Sequence, residues 1–171
     1  SIRHAARFVL VGSGNPEEGE LRPQLMDRFG LSVDVLSSAN IDERIEVIKR
    51  RDAYENDHEA FIAHWQSEDA TLRARIVAAR AALADLQTPD SALRRVAELC
   101  IALGSDGLRG ELTLLKAARA FAAFAGDATV TDDHIRKTAV LALRHRLRRD
   151  PLDDSGSSSR VARTISEILG H

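Results

Sequence analysis

The 171-residue sequence predicts the end of a parallel α/β sheet followed by a mainly α-helical domain. Three observations carry that reading. A continuous apolar run, Phe8-Val9-Leu10-Val11, closes on Gly12-Ser13-Gly14, the pattern of a strand buried on both faces. Leu31-Ser32-Val33-Asp34-Val35 alternates and reads as a second strand. From Asn40 onward, apolar residues recur at helical spacing and strand patterns stop. Two strands are too few for a sheet covered on both faces, so a missing N-terminal partner is expected.

Between the two strands, residues 12–20 form a polar loop with three glycines, a proline and three acids, without an apolar residue until Leu21. It belongs at the surface where the first strand ends, which in open α/β sheets is where ligands bind. Asn15 stands at the first turn out of the strand, where a short amide can orient a water or a phosphate oxygen. Pro23–Phe29 reads as a short helical segment with proline in its first turn, and it presents Arg28 just before the chain turns at Gly30.

Asn40 is a plausible N-cap for a helix carrying Ile41, Ile45 and Ile48. Arg50 to His58 is either a polar break or a continuation. A long helical pattern from Glu59 to Leu86 follows, with a bend expected near Gln66-Ser67. Thr88 and Pro89 mark the clearest boundary, Thr88 as cap and Pro89 as first helical residue. Leu93, Val96, Ala97, Cys100 and Ile101 form the next stripe, stopped by Gly104. Ser105 is expected to cap a helix over about residues 106–125, with Leu108, Leu112, Leu115, Ala118 and Ala122 inside and Gly126 at its end. Thr131 caps the helix that carries Val140, Leu143 and Leu147, with Asp132 and Asp133 at its positive end. Residues 88–149 thus read as a three-helix unit. Asp153–Ser159 reads as a flexible linker and Arg160–Leu169 as a short amphipathic end.

Composition narrows the function. Hydrophobic content of 44% and charged content of 29% describe a soluble globular chain. A net charge of −2 gives no global case for nucleic acid. The basic run Arg144–Arg149 reads as cations completing a helix C-terminus, diluted by Asp150, Asp153 and Asp154. Cys100 is the only cysteine, cannot form an intramolecular disulfide, and fits a reducing compartment. No apolar run is long enough to span a bilayer. His58 and His64 lack the i, i+4 spacing of a zinc pair, and Trp65 reads as core. The sequence contains no Gly-x-x-x-x-Gly-Lys-Ser/Thr phosphate loop.

The order Phe8–Val11, Gly12-Ser13-Gly14-Asn15-Pro16-Glu17-Glu18-Gly19, then Leu21-Arg22-Pro23-Gln24-Leu25-Met26-Asp27-Arg28-Phe29-Gly30, resembles the sensor 1 to arginine-finger segment of AAA+ ATPases. More narrowly, it resembles the ATPase (I) subunit of magnesium chelatase. The resemblance continues in Asp106–Thr113 and His145–Asp153 and is least clear over residues 50–90. It implies an α/β AAA+ core remnant followed by a mainly helical lid. Residues 1–57 would end the core, 58–87 form a long connecting helix, and 88–171 form the lid. The chain is then expected to be the C-terminal part of such a subunit, without ATPase activity by itself.

The same resemblance implies ATP as the nucleotide, with Mg²⁺ accompanying it, in a homo-oligomeric ring, usually a hexamer. Two other chelatase subunits are implied as partners, the larger binding the porphyrin, in the cytoplasm or a plastid stroma. The activity implied is Mg²⁺ insertion into protoporphyrin IX. Asn15 matches sensor 1, although alone it reads as a turn residue. Arg28 matches an arginine finger that enters the neighbouring subunit's site, with Asp27 either holding it or pairing across the interface. Read alone, Asp27-Arg28 is a surface ion pair. Arg109 matches sensor 2. A cation in a helix's first turn is electrostatically awkward, which a bound phosphate would offset; the alternative is a solvated helix arginine. Glu17, Glu18 and Glu20 read as a solvated loop. Two other readings stay open: a MoxR-like AAA+ chaperone, and a non-catalytic lid and interaction module.

Overall fold

Helices account for nearly all the regular structure among the described residues of the computed structural model, which are 8–15, 19, 21–105, 107–147 and 157–170. They are α1 (Pro23–Met26), α2 (Ile41–Asn56), α3 (His58–Ala82), α4 (Asp90–Ala102), α5 (Arg109–Ala125), α6 (Asp132–Leu143) and α7 (Ser157–Leu169). A 3₁₀ turn, Arg144–Arg146, prolongs α6.

Neither expected strand forms. Phe8, Val9, Leu10 and Val11 are 65–90% exposed, and Leu31, Val33 and Val35 are exposed as well. A strand's N–H and C=O groups need a neighbour. Among the described residues the one sheet-type pairing is an isolated bridge between Gln87 and Thr129. The Ser32 N–H instead donates to the Leu141 carbonyl of α6 at 2.9 Å.

The core is the helical unit after residue 86. Leu99, Cys100, Leu103, Leu114, Val130, Ile135, Leu143 and Val161 are all less than 2% exposed. Ala118, Ala122, Ala139 and Ala142 are fully buried where α5 meets α6; small side chains there let the axes approach. The three helices expected over residues 88–149 form as α4, α5 and α6, and a fourth, α7, joins them. α7 adds Val161 and Ile165 to the core, and Arg136 of α6 donates to the Leu169 and Gly170 carbonyls at 3.0 and 2.9 Å. Ser157–Ser159 belong to α7, while the remainder of the expected linker, residues 153–156, lies outside the described residues.

Local signals set most helix ends. The Asn40 side chain accepts from the Asp42 and Glu43 N–H groups at the start of α2. Thr131 opens α6 in a capping box whose return arm is His134. Gly104 and Gly126 sit at φ +66° and +88°, and Ser105 and Asp127 donate back to Cys100 and Ala122, closing α4 and α5 in the left-handed manner glycine permits.

Elsewhere the expectations shift. Pro89, not Thr88, occupies the N-cap of α4, and the buried Thr88 hydroxyl has no hydrogen-bond partner. α5 starts at Arg109 with Leu108 as a cap that makes no side-chain hydrogen bond, so Ser105 does not cap it. The buried faces are rotated too: α4 turns in Ala92, Val96, Leu99 and Cys100 and leaves Ile101 76% exposed, while α5 turns in Leu114 and leaves Leu112 53% exposed.

α2 and α3 form a helical pair that stands largely outside this core. α2 buries no residue and α3 buries only Ala79. α3 runs unbroken through Gln66-Ser67, without the expected interruption. Trp65 is only half-buried, under the Arg50 guanidinium 4.5 Å from its ring centroid, so it is not part of the main core. The end of α3 joins the helical unit through Arg119, which donates to the Leu83 carbonyl at 3.0 Å.

Residues 27–34 lie on the same unit. His145 Nε2–H donates to the Phe29 carbonyl at 3.0 Å, and its buried Nδ1 has no hydrogen-bond partner. Burial lowers the His145 pKa from the ordinary 6.5; the Phe29 bond and Asp27 oppose the shift, while Arg146 and Arg144 add to it. Arg144 pairs with Asp34 and holds that carboxyl below its usual range.

Two predictions follow from this packing. Leu114→Ala should cost about 2–5 kcal/mol in chemical denaturation, as for other fully buried leucines, whereas Leu112→Ala should stay within about 1 kcal/mol; equal losses would contradict the register of α5. A folded-state His145 pKa below the unfolded value means the unfolded chain binds more protons. The stabilisation is therefore complete above about pH 6.5 and falls away as the pH drops below it. His145→Gln should flatten that slope in denaturation series between about pH 5 and 7.5; an unchanged slope would contradict the assignment.

Candidate functional site

Of the expected site residues, Asp27 and Arg28 lie in the turn that follows α1 and Arg109 lies against it. That turn, Asp27–Gly30, is built by Arg28 N–H donating to Leu25 and Phe29 N–H donating to Met26, at 3.0 and 3.1 Å. It is pressed against the start of α5 and the end of α6. Arg146 makes the principal contacts and is only 4% exposed as a side chain.

A buried guanidinium is tolerable only if its charge is paired and its N–H donors are used. Here Nη1 donates to the Asp27 carbonyl at 2.9 Å and to Asp27 Oδ1 at 2.6 Å. Nη2 donates to the Phe29 carbonyl at 2.7 Å and, at the outer limit of 3.5 Å, to Thr113 Oγ1. Nε donates to the Ala142 carbonyl at 3.1 Å. One side chain thus joins α5, α6 and both sides of the turn. Burial lowers its pKa from the ordinary arginine value, and the Asp27 carboxylate opposes that shift.

Arg109, first residue of α5, pairs with Asp27 Oδ2. Asp27 therefore bridges two arginines of its own chain, one buried and one 61% exposed. It is not paired with Arg28, so the expectation that Asp27 clamps Arg28 is replaced by a different geometry. The exposed Arg28 side chain makes no hydrogen bond or ion pair with any described residue. Its backbone N–H is tied to Leu25 within the turn, and its side chain is exposed.

Asn15 ends the exposed segment 8–15. That segment passes the same turn: a Cβ at Gly12 would lie 3.6 Å from the Phe29 ring. Asp27 and Arg109 are in direct contact, with Arg28 next to Asp27 in the turn. Glu17, Glu18, Glu20 and Asp106 lie outside the described residues, as do Arg148 and Arg149. Glu111 lies in the first turn of α5, as expected for an acid near Arg109, with a buried Oε2 that has no hydrogen-bond partner. Cys100 is inert: burial raises its thiol pKa to about 12.

Arg146 was not singled out by sequence reasoning, which saw only a basic run at a helix end. A signal was present. Ile135, Ala139 and Ala142 mark the buried face of α6, and Arg146 continues it one turn later. A cation on a buried face needs a dedicated partner.

The AAA lid domain family matches residues 93–165. Over 169 residues, 99% of this chain, the sequence is 66% identical to the magnesium-chelatase 38 kDa subunit of Cereibacter sphaeroides, covering 51% of that protein. The corresponding subunit of Rhodobacter capsulatus is 60% identical over 99% of this chain and 48% of its own. A cryo-EM structure of the complex between subunits BchI and BchD of magnesium chelatase matches 94% of this chain and 49% of that one, at 54% identity and a TM-score of 0.34; the likeness is one of sequence, not of superposed shape. The chain spans about half the length of the curated relatives it matches. Across the half it spans, the chain is similar to the magnesium-chelatase 38 kDa/ChlI subunits, and its C-terminal part matches the AAA lid domain family.

Proposed function

We propose that this chain is the lid-bearing part of an ATPase motor subunit of magnesium chelatase, and that Arg28 is its arginine finger. The observation that carries the reading is the state of Arg28. Its backbone is held on a turn pinned to the lid, its acidic neighbour is already engaged by Arg109 and Arg146, and its own charge faces outward. A guanidinium held so suits an anion from outside the chain.

Phosphoryl transfer asks a protein mainly for positioning and positive charge around the transferred group. Arg28 supplies that charge to a triphosphate in the neighbouring subunit. Asn15 orients the γ-phosphate or the attacking water in its own subunit. Arg109 approaches the phosphates of its own subunit, for which it must share or leave Asp27. Among the described residues no cluster of three His, Cys, Asp or Glu is placed to hold a metal ion. We therefore assign none of these side chains to the Mg²⁺ that accompanies ATP; that ion neutralises phosphate charge when bound. Residues 1–57 act as the end of the ATPase core, 58–87 as the connection and 88–171 as the lid.

The working form is a homo-oligomeric ring, taken as a hexamer, because a finger given to a neighbour requires a head-to-tail interface. It acts with the two other chelatase subunits. Mg²⁺ as cargo enters protoporphyrin IX held by a partner. No described helix is long and apolar enough to cross a membrane, and the expected setting is cytoplasm or plastid stroma.

In the full-length protein, Arg28→Ala should lower steady-state ATP turnover on the order of 10³-fold while equilibrium nucleotide binding is retained. Wild-type turnover in that variant would contradict the finger role. Metallation of protoporphyrin IX, assayed with the partner subunits, separates the chelatase from a MoxR-like chaperone, which would leave the porphyrin metal-free.

A further inference from the structure

We propose that Arg146 is a positioning residue for the finger: the lid of each subunit, through this one guanidinium, sets where Arg28 stands in the next subunit's site. The inference rests on the finger reading above and extends it to a residue in the lid.

The turn that carries Arg28 has few other attachments. α1 has only four residues, and Leu21, Leu25 and Leu31 in and beside it are exposed. The turn contributes no residue to the hydrophobic core. What fixes it to the helical unit is polar. Arg146 takes the Asp27 carbonyl and carboxylate on one side of Arg28 and the Phe29 carbonyl on the other, all within 2.9 Å. His145 adds a second bond to Phe29 and Arg109 a second to Asp27. Among the described residues, only Arg146 bridges both flanks of Arg28 while being buried between α5 and α6.

The planar fork matters. Lysine carries the same charge but presents it from a single nitrogen, so it cannot fill the same set of acceptors in fixed directions. Removing Arg146 would leave the Asp27 carboxylate to Arg109 alone and free the Phe29 flank. The turn would remain tethered by His145 but lose its orientation, and a misplacement of about 1 Å can cost about 10²-fold in rate.

A structural role for Arg146 would damage its own subunit's site, whereas a positioning role damages the neighbour's. Mixing separates them in the full-length protein. Arg146→Met subunits keep Asn15 and Arg109 but present a misplaced finger. Asn15→Ala subunits lose their own site but present an intact finger. Each alone should turn over ATP at about 10²-fold below wild type. An equimolar mixture should recover about a quarter of wild-type turnover, the share of interfaces where an intact site meets an intact finger. The pair Arg28→Ala with Asn15→Ala serves as the control and should recover to the same level.

If the control pair fails to recover, the finger reading falls and this inference with it. If the control recovers and the Arg146 pair does not, Arg146 serves its own subunit and the inference alone is overturned. Arg146→Lys guards against a variant that does not fold. It should melt close to wild type, lose turnover at nearly unchanged KM for ATP, and recover on mixing with Asn15→Ala. Wild-type turnover by folded Arg146→Lys would overturn the proposal.

Discussion

A single buried guanidinium organises the functional end of this chain. Arg146 stands where α6 gives way to a 3₁₀ turn, on the face that otherwise carries Ile135, Ala139 and Ala142. Its charge is admissible there because Asp27 neutralises it and five acceptors surround its N–H groups. Removing either partner would strand a desolvated charge or loosen the turn. The helical unit folds around aliphatic side chains, but the attachment of residues 27–34 to it is almost wholly polar. This explains how a short segment without a core of its own acquires a defined place.

The sharing of Asp27 has a chemical consequence. One carboxylate serves a buried arginine at Oδ1 and an exposed arginine at Oδ2. The exposed partner, Arg109, is held by a pair that water screens, worth little by itself. The buried one is held far more firmly. An incoming anion would draw Arg109 away with small loss while Arg146 keeps the turn in place. Arg28, next in sequence to Asp27, presents its charge outward. The arrangement thus separates a fixed arginine from two exposed ones.

Much of this was legible in the amino-acid order. The caps at Asn40 and Thr131 and the left-handed glycines at 104 and 126 were readable because each depends on a few adjacent residues. Asn15, Asp27, Arg28 and Arg109 were singled out through a resemblance to a family, not through periodicity. What failed was whatever depended on distant neighbours. The Phe8–Val11 and Leu31–Val35 segments carry strand patterns, but a ladder needs another strand, and none is placed beside them among the described residues. The stripes of α4 and α5 were rotated because several apolar residues offered competing faces, and only the packing of α5 against α3, α4 and α6 decides between Leu112 and Leu114. Arg146 was hidden among other cations, its partner 119 positions away in the chain.

The central claim is that Arg146 and Asp27 form one energetic unit holding the turn to the lid. A double-mutant cycle measures this directly, using denaturation free energies of Asp27→Ala, Arg146→Met and the double variant. The account predicts non-additivity of more than about 1.5 kcal/mol, as expected for a contacting, partly buried charge pair. Losses that add to within about 0.5 kcal/mol, the behaviour of independent sites, would contradict it.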